Sequence, residues 1–208
     1  MIKTSNLKYA YAKSGAISFP DIAVSLKESM LIFGESGCGK TTYLHLLAGL
    51  MRPTEGEILI NDTNIASFST LEMDKYRGIN IGIVYQKPYF IESITVQDNL
   101  LLSPFAKKDK LKSIVERLNI DGLMNRYPHQ LSVGQQQRAG IARAVMNSPK
   151  LILADEPTSS LDNKNCKYVI DLLKEESANN DAALIITTHD DRLQSEISNC
   201  IHLDTILS

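Results

Sequence analysis

The sequence has 208 residues, of which 43% are apolar and 22% charged, and its formal net charge is −2. This length suits one large or two small domains with a sizeable core. The nearly balanced charge excludes the strongly basic surface by which proteins recruit nucleic acid or anionic membranes. No apolar run approaches the roughly 18 residues that span a bilayer, and residues 1–6 lack the apolar segment of a secretion signal. We therefore expect a cytosolic chain that neither binds nucleic acid nor inserts directly into a membrane.

The cysteine pattern agrees with this location. Cys38, Cys166 and Cys200 are widely separated along the chain. They form neither an even disulfide set nor a cluster with metal-ligand spacing, which fits a reducing compartment.

The first sixty residues have the pattern of a small antiparallel sheet. Residues 2–8, 17–26 and 57–60 alternate between apolar and polar side chains, as strands with one solvated face do. Turn signals separate these segments, for example Arg-Pro-Thr-Glu-Gly at 52–56. We expect an antiparallel β layer ahead of the rest of the fold.

A phosphate-binding motif follows the apolar run at 30–33. Its glycines are expected to adopt left-handed backbone angles and to let the chain approach a ligand closely. Backbone N–H groups of the turn and the positive end of the next helix would then face phosphate oxygens. Lys40 can bridge the β- and γ-phosphates of a nucleoside triphosphate, and the Thr41 hydroxyl can hold Mg²⁺. The motif consists of Gly34, Glu35, Ser36, Gly37, Cys38, Gly39, Lys40, Thr41 and Thr42.

The rest of the chain indicates an α/β core with a mainly parallel sheet. Several short runs are apolar almost throughout, which is typical of strands covered on both faces. Helical patterns alternate with them. The predicted strands are 30–33, 81–85, 151–154 and 184–188, and the predicted helices are 41–50, 110–118, 135–146 and 165–177.

One stretch, 88–135, has few strand signals. We interpret it as a helical lobe inserted into a single domain that spans 1–208. Residues 1–87 and 136–208 would then form the α/β core with its antiparallel layer.

Two carboxylates follow the predicted strand at 151–154. Open α/β sheets bind ligands at the carboxyl ends of their strands, so Asp155 would complete the Mg²⁺ site begun by Thr41. Glu156 could orient and deprotonate the water that attacks the γ-phosphate. Acidic residues also start turns and caps, so the pair alone does not decide between catalysis and local structure.

The segment 131–138 reads Leu-Ser-Val-Gly-Gln-Gln-Gln-Arg. Ser132 and Gln135 have the spacing of a capping box, which would open the following helix. Together with the two nucleotide motifs, however, the segment resembles the signature of the ATPase subunits of ABC transporters, Leu-Ser-Gly-Gly-Gln. Val133 stands at the third position, where the signature has glycine. The resemblance extends over essentially the whole chain and is strongest to the lipoprotein-release and macrolide-export type.

This resemblance implies roles for further residues. Tyr11 would stack on adenine, with the neighbouring Tyr9 as the alternative. Gln86 would sense Mg²⁺ and the attacking water, and His189 would contact the γ-phosphate. The resemblance thus implies Lys40, Gln86, Glu156 and His189 as catalytic residues and Thr41, Gln86 and Asp155 around Mg²⁺.

The resemblance also implies a homodimer that forms on ATP binding. Ser132, Gly134 and Gln135 would contact the nucleotide of the opposite subunit. The loop Ser159-Ser160-Leu161-Asp162 would touch the opposite phosphate-binding turn, although it could also simply cap the next helix.

A separate membrane permease is the second implied partner, which would hold the chain at the inner face of the cell membrane. The apolar residues Tyr89, Phe90, Ile91 and Ile94 would form its docking surface, unless they only seal the lobe against the core. The alternative function is a nucleotide-gated mechanical module that drives a membrane partner without moving a substrate.

Overall fold

A computed structural model describes residues 1–11, 15–159 and 161–204. Its strands form two five-stranded sheets. The strands are β1 (Ile2–Ala10), β2 (Ala16–Ser18), β3 (Ala23–Val24), β4 (Ser29–Phe33), β5 (Glu55–Ile60), β6 (Thr63–Asn64), β7 (Ile81–Val84), β8 (Leu151–Asp155), β9 (Ala183–Thr188) and β10 (Cys200–His202). The helices are α1 (Lys40–Leu47), α2 (Thr70–Asn80), α3 (Val96–Leu100), α4 (Leu111–Arg117), α5 (Val133–Val145) and α6 (Asn163–Asn179).

The first sheet is the predicted antiparallel layer. Strand β1 pairs with β2 and β3 on one edge and with β5 on the other, and β6 continues the sheet beyond β5. The segment predicted as one strand at 17–26 is divided into β2 and β3. Pro20 lies in the break, where it has no N–H to donate to a ladder, and the neighbouring Asp21 carboxylate accepts the Asn6 N–H at 2.8 Å.

The second sheet is parallel and has the order β10-β4-β9-β8-β7. All four predicted strands are present, within one residue at each end. Strand β10 was not predicted. It has three residues, none of them buried, so it lacks the unbroken apolar run of a strand with two covered faces.

Both faces of the parallel sheet are buried, which explains the apolar runs. In β8, Leu151 and Leu153 pack in a cluster with α1 and the antiparallel sheet. Ile152 and Ala154 point the other way, into a cluster with α5 and α6. Because successive side chains of a strand alternate between faces, each of these residues is apolar.

The four predicted helices are present as α1, α4, α5 and α6, whereas α2 and α3 were missed. Helix α2 has little apolar periodicity, and Met73 is its one buried residue, all of α2 being described. Its start does carry a signal, because Ser69 and Glu72 form a complete capping box. Within the stretch 88–135, which is described in full, there are helices and 3₁₀ turns but no strand.

An ion pair between the partly exposed Arg117 and the buried Glu176 joins α4 to α6. Arg117 donates from Nε and Nη2 to the two oxygens of Glu176, at 2.8 and 3.0 Å. The Glu176 side chain is only 1% exposed. The planar guanidinium matches the carboxylate with two parallel hydrogen bonds, so this pair fixes α4 against the core.

Within the described residues, no helix is both long and apolar enough to span a bilayer.

Replacing Arg117 should destabilise the fold. Arg117→Met leaves the buried Glu176 carboxylate unpaired, which costs about 3 kcal/mol, so the urea midpoint of unfolding should fall clearly. Lys112→Met on the same helix removes an exposed ion pair of 3.9 Å with Glu116 and should leave the midpoint nearly unchanged. Equal midpoints for the two variants would contradict a structural role for the Arg117 pair.

Candidate functional site

The carboxyl ends of β4, β8 and β9 meet at one edge of the parallel sheet, where a cavity of about 350 Å³ opens. The turn after β4 leads into α1, while Gln86, Glu156 and His189 follow β7, β8 and β9. The structure thus brings together residues that are up to about 150 positions apart in sequence. The cavity is lined by Ser36, Gly37, Gly39, Lys40, Thr41, Thr42, Gln86, Glu156 and His189.

Glycine is required in the turn for two different reasons. Gly37 and Gly39 have φ angles of +87° and +103°, in the left-handed region that glycine adopts without strain. Gly34 does not have a positive φ, so the expectation of a left-handed angle there is wrong. Its constraint is space, because a Cβ at this position would lie 2.7 Å from both the Cys38 sulfur and the Leu203 carbonyl oxygen.

Lys40 lies inside the turn and is buried. Its Nζ donates to the carbonyl oxygens of Gly34 and Glu35 at 2.8 and 2.9 Å. The same Nζ lies 3.3 Å from Glu156 Oε1. The ammonium group therefore stands at the start of α1, beside the Glu156 carboxylate, which lines the cavity.

Asp155 ends β8 beside this turn. Its carboxylate accepts hydrogen bonds from the hydroxyls of Thr41, at 3.1 Å, and Thr187, at 2.7 Å. The parallel pairing of β8 with β9 places Asp155 directly opposite Thr187. The Thr41 hydroxyl and the Asp155 carboxylate are oxygen donors of the type that Mg²⁺ prefers, and they are already in contact.

Glu156 has a left-handed backbone, with φ at +46°. Such a conformation costs a residue other than glycine about 1–3 kcal/mol and persists only where the surroundings enforce it. The Glu156 N–H donates to the Thr187 carbonyl at 2.9 Å. Its carboxylate accepts the Thr188 hydroxyl at 3.3 Å and lies 2.9 Å from His189 Nδ1.

Thr187 and Thr188 were missed as site residues. Both are fully buried, and both donate to the carboxylates predicted from the sequence. The available signal was the change from aliphatic to hydroxyl side chains at the end of an apolar strand, since buried hydroxyls require partners.

Gln86 lies opposite the Glu156 backbone. Its Nε2 donates to Ser159 Oγ at 2.8 Å, and that hydroxyl donates to the Glu156 carbonyl at 3.2 Å. Ser160 lies outside the described residues. Asp162 is the N-cap of α6 and accepts the Asn165 N–H, so the capping interpretation of this loop is confirmed.

Tyr11 lies beside the start of α1. Its hydroxyl is 2.7 Å from Thr42 Oγ1. The Tyr9 and Tyr11 rings pack edge to face with centroids 4.8 Å apart, and Tyr11 is exposed. An exposed aromatic ring next to the phosphate-binding turn can stack on a base.

The signature segment lies elsewhere. Ser132 is the N-cap of α5 and forms a capping box with Gln135, as the sequence predicts. Helix α5 begins two residues before the predicted start, at Val133, whose side chain is 65% exposed. Of the described residues, none from 132–135 is among those that line the cavity.

The segment that follows Gln86, which was predicted as an apolar docking surface, lies beside α3. Tyr89 and Ile91 are exposed, whereas Phe90 and Ile94 are half-buried. The Arg143 guanidinium lies over the Phe90 ring, 4.9 Å from its centroid. Phe90 therefore packs against the core, and of the four residues predicted for this surface Tyr89 and Ile91 are the exposed ones.

A strand, a glycine-rich turn with a buried lysine, and a second strand ending in two carboxylates define a P-loop nucleotide-hydrolysing site. The family model of ABC transporters matches residues 20–159. The chain belongs to this family, and it is an ATP-binding, ATP-hydrolysing subunit of the ABC type. The family favours the transporter role over the alternative of a mechanical module.

Named relatives extend over nearly the whole chain. The lipoprotein-releasing system ATP-binding protein LolD of Buchnera aphidicola is 37% identical over 209 residues, which cover 95% of this chain and 91% of LolD. The uncharacterised ABC transporter ATP-binding protein YvcR of Bacillus subtilis is 36% identical, over 91% of this chain and 78% of YvcR. The similarity to the lipoprotein-release type is thereby confirmed.

Solved structures agree with the fold. A dimeric post-hydrolysis structure of the ATP-binding cassette MJ0796 with ADP and Pi has a TM-score of 0.83 and 30% identity, covering 98% of this chain and 94% of that one. The protein cbiO1 of Clostridium perfringens, part of the ABC transporter complex cbiONQ, has a TM-score of 0.87 at 27% identity, covering 99% and 86% of the two chains.

Gly34 offers a test of the packing below the turn. Gly34→Ala should lower the unfolding midpoint, since overpacking typically costs about 1–3 kcal/mol and one of the overlapping atoms is a backbone oxygen. Gly122→Ala is the control, because a Cβ there meets nothing within 4 Å. Thermal unfolding of both variants checks this, and an unchanged midpoint for Gly34→Ala would contradict the close approach.

Proposed function

We propose that two copies of this chain form an ATP-dependent homodimer with two composite hydrolysis sites, and that this dimer drives a separate membrane permease. The chain would lie in the cytoplasm, held at the inner face of the membrane by the permease. One observation in particular supports the proposed dimer. The cavity contains the phosphate-binding turn, Glu156, Gln86 and His189, but the described signature residues do not line it, so one chain offers an incomplete site.

Within one chain, each group has a defined task. The N-terminus of α1 and the buried Lys40 attract the phosphates. The Tyr11 ring stacks on the adenine. Glu156 is the general base, and the Thr188 hydroxyl at the end of β9 and the His189 imidazole just after it hold the Glu156 carboxylate at the cavity. Gln86 and His189 contact the water and the γ-phosphate.

Mg²⁺ fits the oxygen donors at this edge of the sheet. Thr41 and Asp155 would hold it, with Gln86 nearby, and the phosphates would supply further oxygens, as is usual for Mg²⁺ in nucleotide sites. When bound, the ion neutralises the charge that develops on the phosphate oxygens.

The second copy would supply the start of α5. This helix has thirteen residues, so its N-terminus carries a substantial positive dipole end. The Ser132 hydroxyl and the Gly134 N–H would then face the γ-phosphate, a place where donors stabilise transition-state charge. We retain the division into a core, 1–87 and 136–208, and a lobe, 88–135, that presents this signature.

The permease would dock beside Tyr89 and Ile91. The buried Asn99 fixes the backbone there, since its amide accepts the Ile91 N–H at 2.8 Å and donates to the Ile91 carbonyl at 3.0 Å. A groove of about 530 Å³ opens next to this surface, and it is lined by Asn99, which bonds Ile91, and by Arg143, which lies over the Phe90 ring. A preorganised apolar surface beside a groove is suited to receive a segment of a partner.

Replacing the base should separate binding from turnover. Glu156→Gln keeps the shape of the side chain but removes the carboxylate that accepts a proton. General bases contribute about 10²- to 10⁴-fold, so phosphate release should slow at least about 100-fold while ATP and Mg²⁺ still bind. A loss below about tenfold would assign the base elsewhere, with His189 the next candidate.

Asp155→Asn is the matched variant, one residue earlier, at the last position of β8. It should weaken Mg²⁺ binding, so that turnover recovers as the Mg²⁺ concentration is raised. Glu156→Gln should show no such recovery, because Mg²⁺ does not replace a proton acceptor. Identical Mg²⁺ titrations for the two variants would contradict this division of roles.

Docking can be tested at Ile91. Ile91→Asp should abolish copurification with the permease and permease-stimulated hydrolysis, while ATP binding and the melting temperature of the isolated subunit stay nearly unchanged. Leu26→Asp is the control, since Leu26 is 38% exposed against 45% for Ile91 but precedes β4, at the opposite edge of the parallel sheet. A large fall in melting temperature for Ile91→Asp, or equal loss of copurification for both variants, would contradict the assignment.

A further inference from the structure

Asp190 is linked to Glu156, the residue with the strained backbone, along two routes of hydrogen bonds. The Asp190 N–H donates to the Thr188 hydroxyl at 3.0 Å, and that hydroxyl donates to the Glu156 carboxylate. On the other side, the Thr158 hydroxyl donates to Asp190 Oδ2 at 3.0 Å. Thr158 is fully buried and lies two residues after Glu156. Asp190 is therefore connected to Glu156 both through β9 and through the chain that leaves β8.

Arg192 holds the Asp190 carboxylate in place. Its Nε donates to Oδ1 at 2.8 Å and its Nη2 to Oδ2 at 2.7 Å. These hydrogen bonds keep the pKa of the Asp190 carboxyl below its usual value, so Asp190 remains an acceptor. The Thr158 hydroxyl and the two Arg192 nitrogens together fix the plane of the Asp190 carboxylate.

The third guanidinium nitrogen of Arg192, Nη1, faces the residues at the start of α6 and does not bond Asp190. Nη1 donates to the Asn163 side-chain oxygen at 2.8 Å and to the Leu161 carbonyl at 3.2 Å. One guanidinium thus joins the loop at Leu161–Asn163 to the turn after β9. The five donors of arginine are arranged in a rigid plane, so the two groups of contacts are coupled in space.

We propose that Arg192 is a positioning residue for hydrolysis: it ties the loop at Leu161–Asn163 to Asp190 and thereby sets the position of the Glu156 carboxylate. This inference rests on the proposed function, the ATP-dependent homodimer, and on the contact with the second copy that the family resemblance implies for the loop before α6. Arrival of that copy at the loop is then transmitted through Arg192, Asp190 and Thr188 to the base. Arg192 itself touches neither the nucleotide cavity lining nor Glu156 among the described contacts.

Arg192→Lys tests the bridge. A lysine keeps the positive charge and can pair with Asp190. Its single ammonium group, however, lacks the planar set of donors that bonds Asp190 and the loop at Leu161–Asn163 at the same time. Because small displacements of catalytic groups cost up to about 100-fold in rate, we expect kcat to fall about tenfold with KM for ATP changed less than about twofold. Asn163→Ala, which leaves the Arg192–Asp190 pair intact, should lower kcat in the same direction.

The two substitutions should not be additive. If Arg192 acts through the loop, adding Asn163→Ala to Arg192→Lys lowers kcat little further. Lys174→Met is the control. Its side chain is 33% exposed, against 36% for Arg192. Lys174 also bridges a helix and a later loop, through Glu196, and its contacts with described residues do not lead to Glu156. It should leave kcat unchanged.

Several results would overturn the proposal. They are an unchanged kcat for Arg192→Lys, an equal fall for Lys174→Met, a fully additive double variant, or a change in KM alone. If Arg192→Lys does not fold, Asn163→Ala alone decides, with melting temperature as the check on folding. Turnover is measured over a range of protein concentrations: recovery of kcat for Arg192→Lys at high concentration would mean that Arg192 only assists association.

The same concentration series distinguishes this inference from the function on which it rests. If the specific activity of the unchanged protein does not depend on its concentration at any dilution, the composite dimer site is in question. If that dependence is present and Arg192→Lys has normal kcat, only the role of Arg192 fails.

Discussion

The parallel pairing of β4, β9 and β8 is the constraint on which the site depends. In this register Phe33 lies opposite Thr188, and Asp155 lies opposite Thr187. Backbone hydrogen bonds continue past the strand ends, from the Gly34 N–H to the Thr188 carbonyl at 3.1 Å and from the Glu156 N–H to the Thr187 carbonyl at 2.9 Å. The phosphate-binding turn, the two carboxylates and the imidazole are therefore held at one edge before any ligand contributes. A shift of one residue in either pairing would turn these side chains to the other face of the sheet.

This edge combines stability and strain. The strands behind it are buried on both faces, and such a core can support an unfavourable conformation at its rim. Glu156 uses that support, since its left-handed backbone aims the carboxylate at the cavity instead of continuing β8. The buried threonines of β9 hold the two carboxylates, because Thr187 donates to Asp155 and Thr188 donates to Glu156. The geometry of this edge is therefore a property of two neighbouring strands and not of one motif.

The sequence was sufficient for the parts of the fold that follow from local chemistry. Unbroken apolar runs predicted the parallel strands because both faces are covered, and the spacing of Ser132 and Gln135 predicted a cap. Helix α2 and β10 were missed because they bury few side chains, so their apolar pattern is weak. The spatial reason for glycine at 34 depends on Leu203, far away in sequence, and no local pattern contains that information.

The same distinction applies to the site. Lys40, Thr41, Asp155 and Glu156 follow from motifs whose chemistry is local, and the structure places them in contact. Thr188, Asp190 and Arg192 are linked to Glu156 or to residues at and before the start of α6 by tertiary hydrogen bonds, so their residue types alone did not reveal them. The signature at Ser132 is a third case, because its proposed partner is a group on another molecule.

The central claim, that one hydrolysis site requires two chains, is tested most directly by mixing two inactive variants. Lys40→Ala disables the phosphate-binding turn and Ser132→Arg disables the signature, and melting curves confirm that each variant folds. In a mixed dimer, one site combines the intact turn of one chain with the intact signature of the other, so ATP turnover should return in part. If mixing at any ratio restores no turnover, or if either variant alone retains normal activity, a site shared between two chains is contradicted.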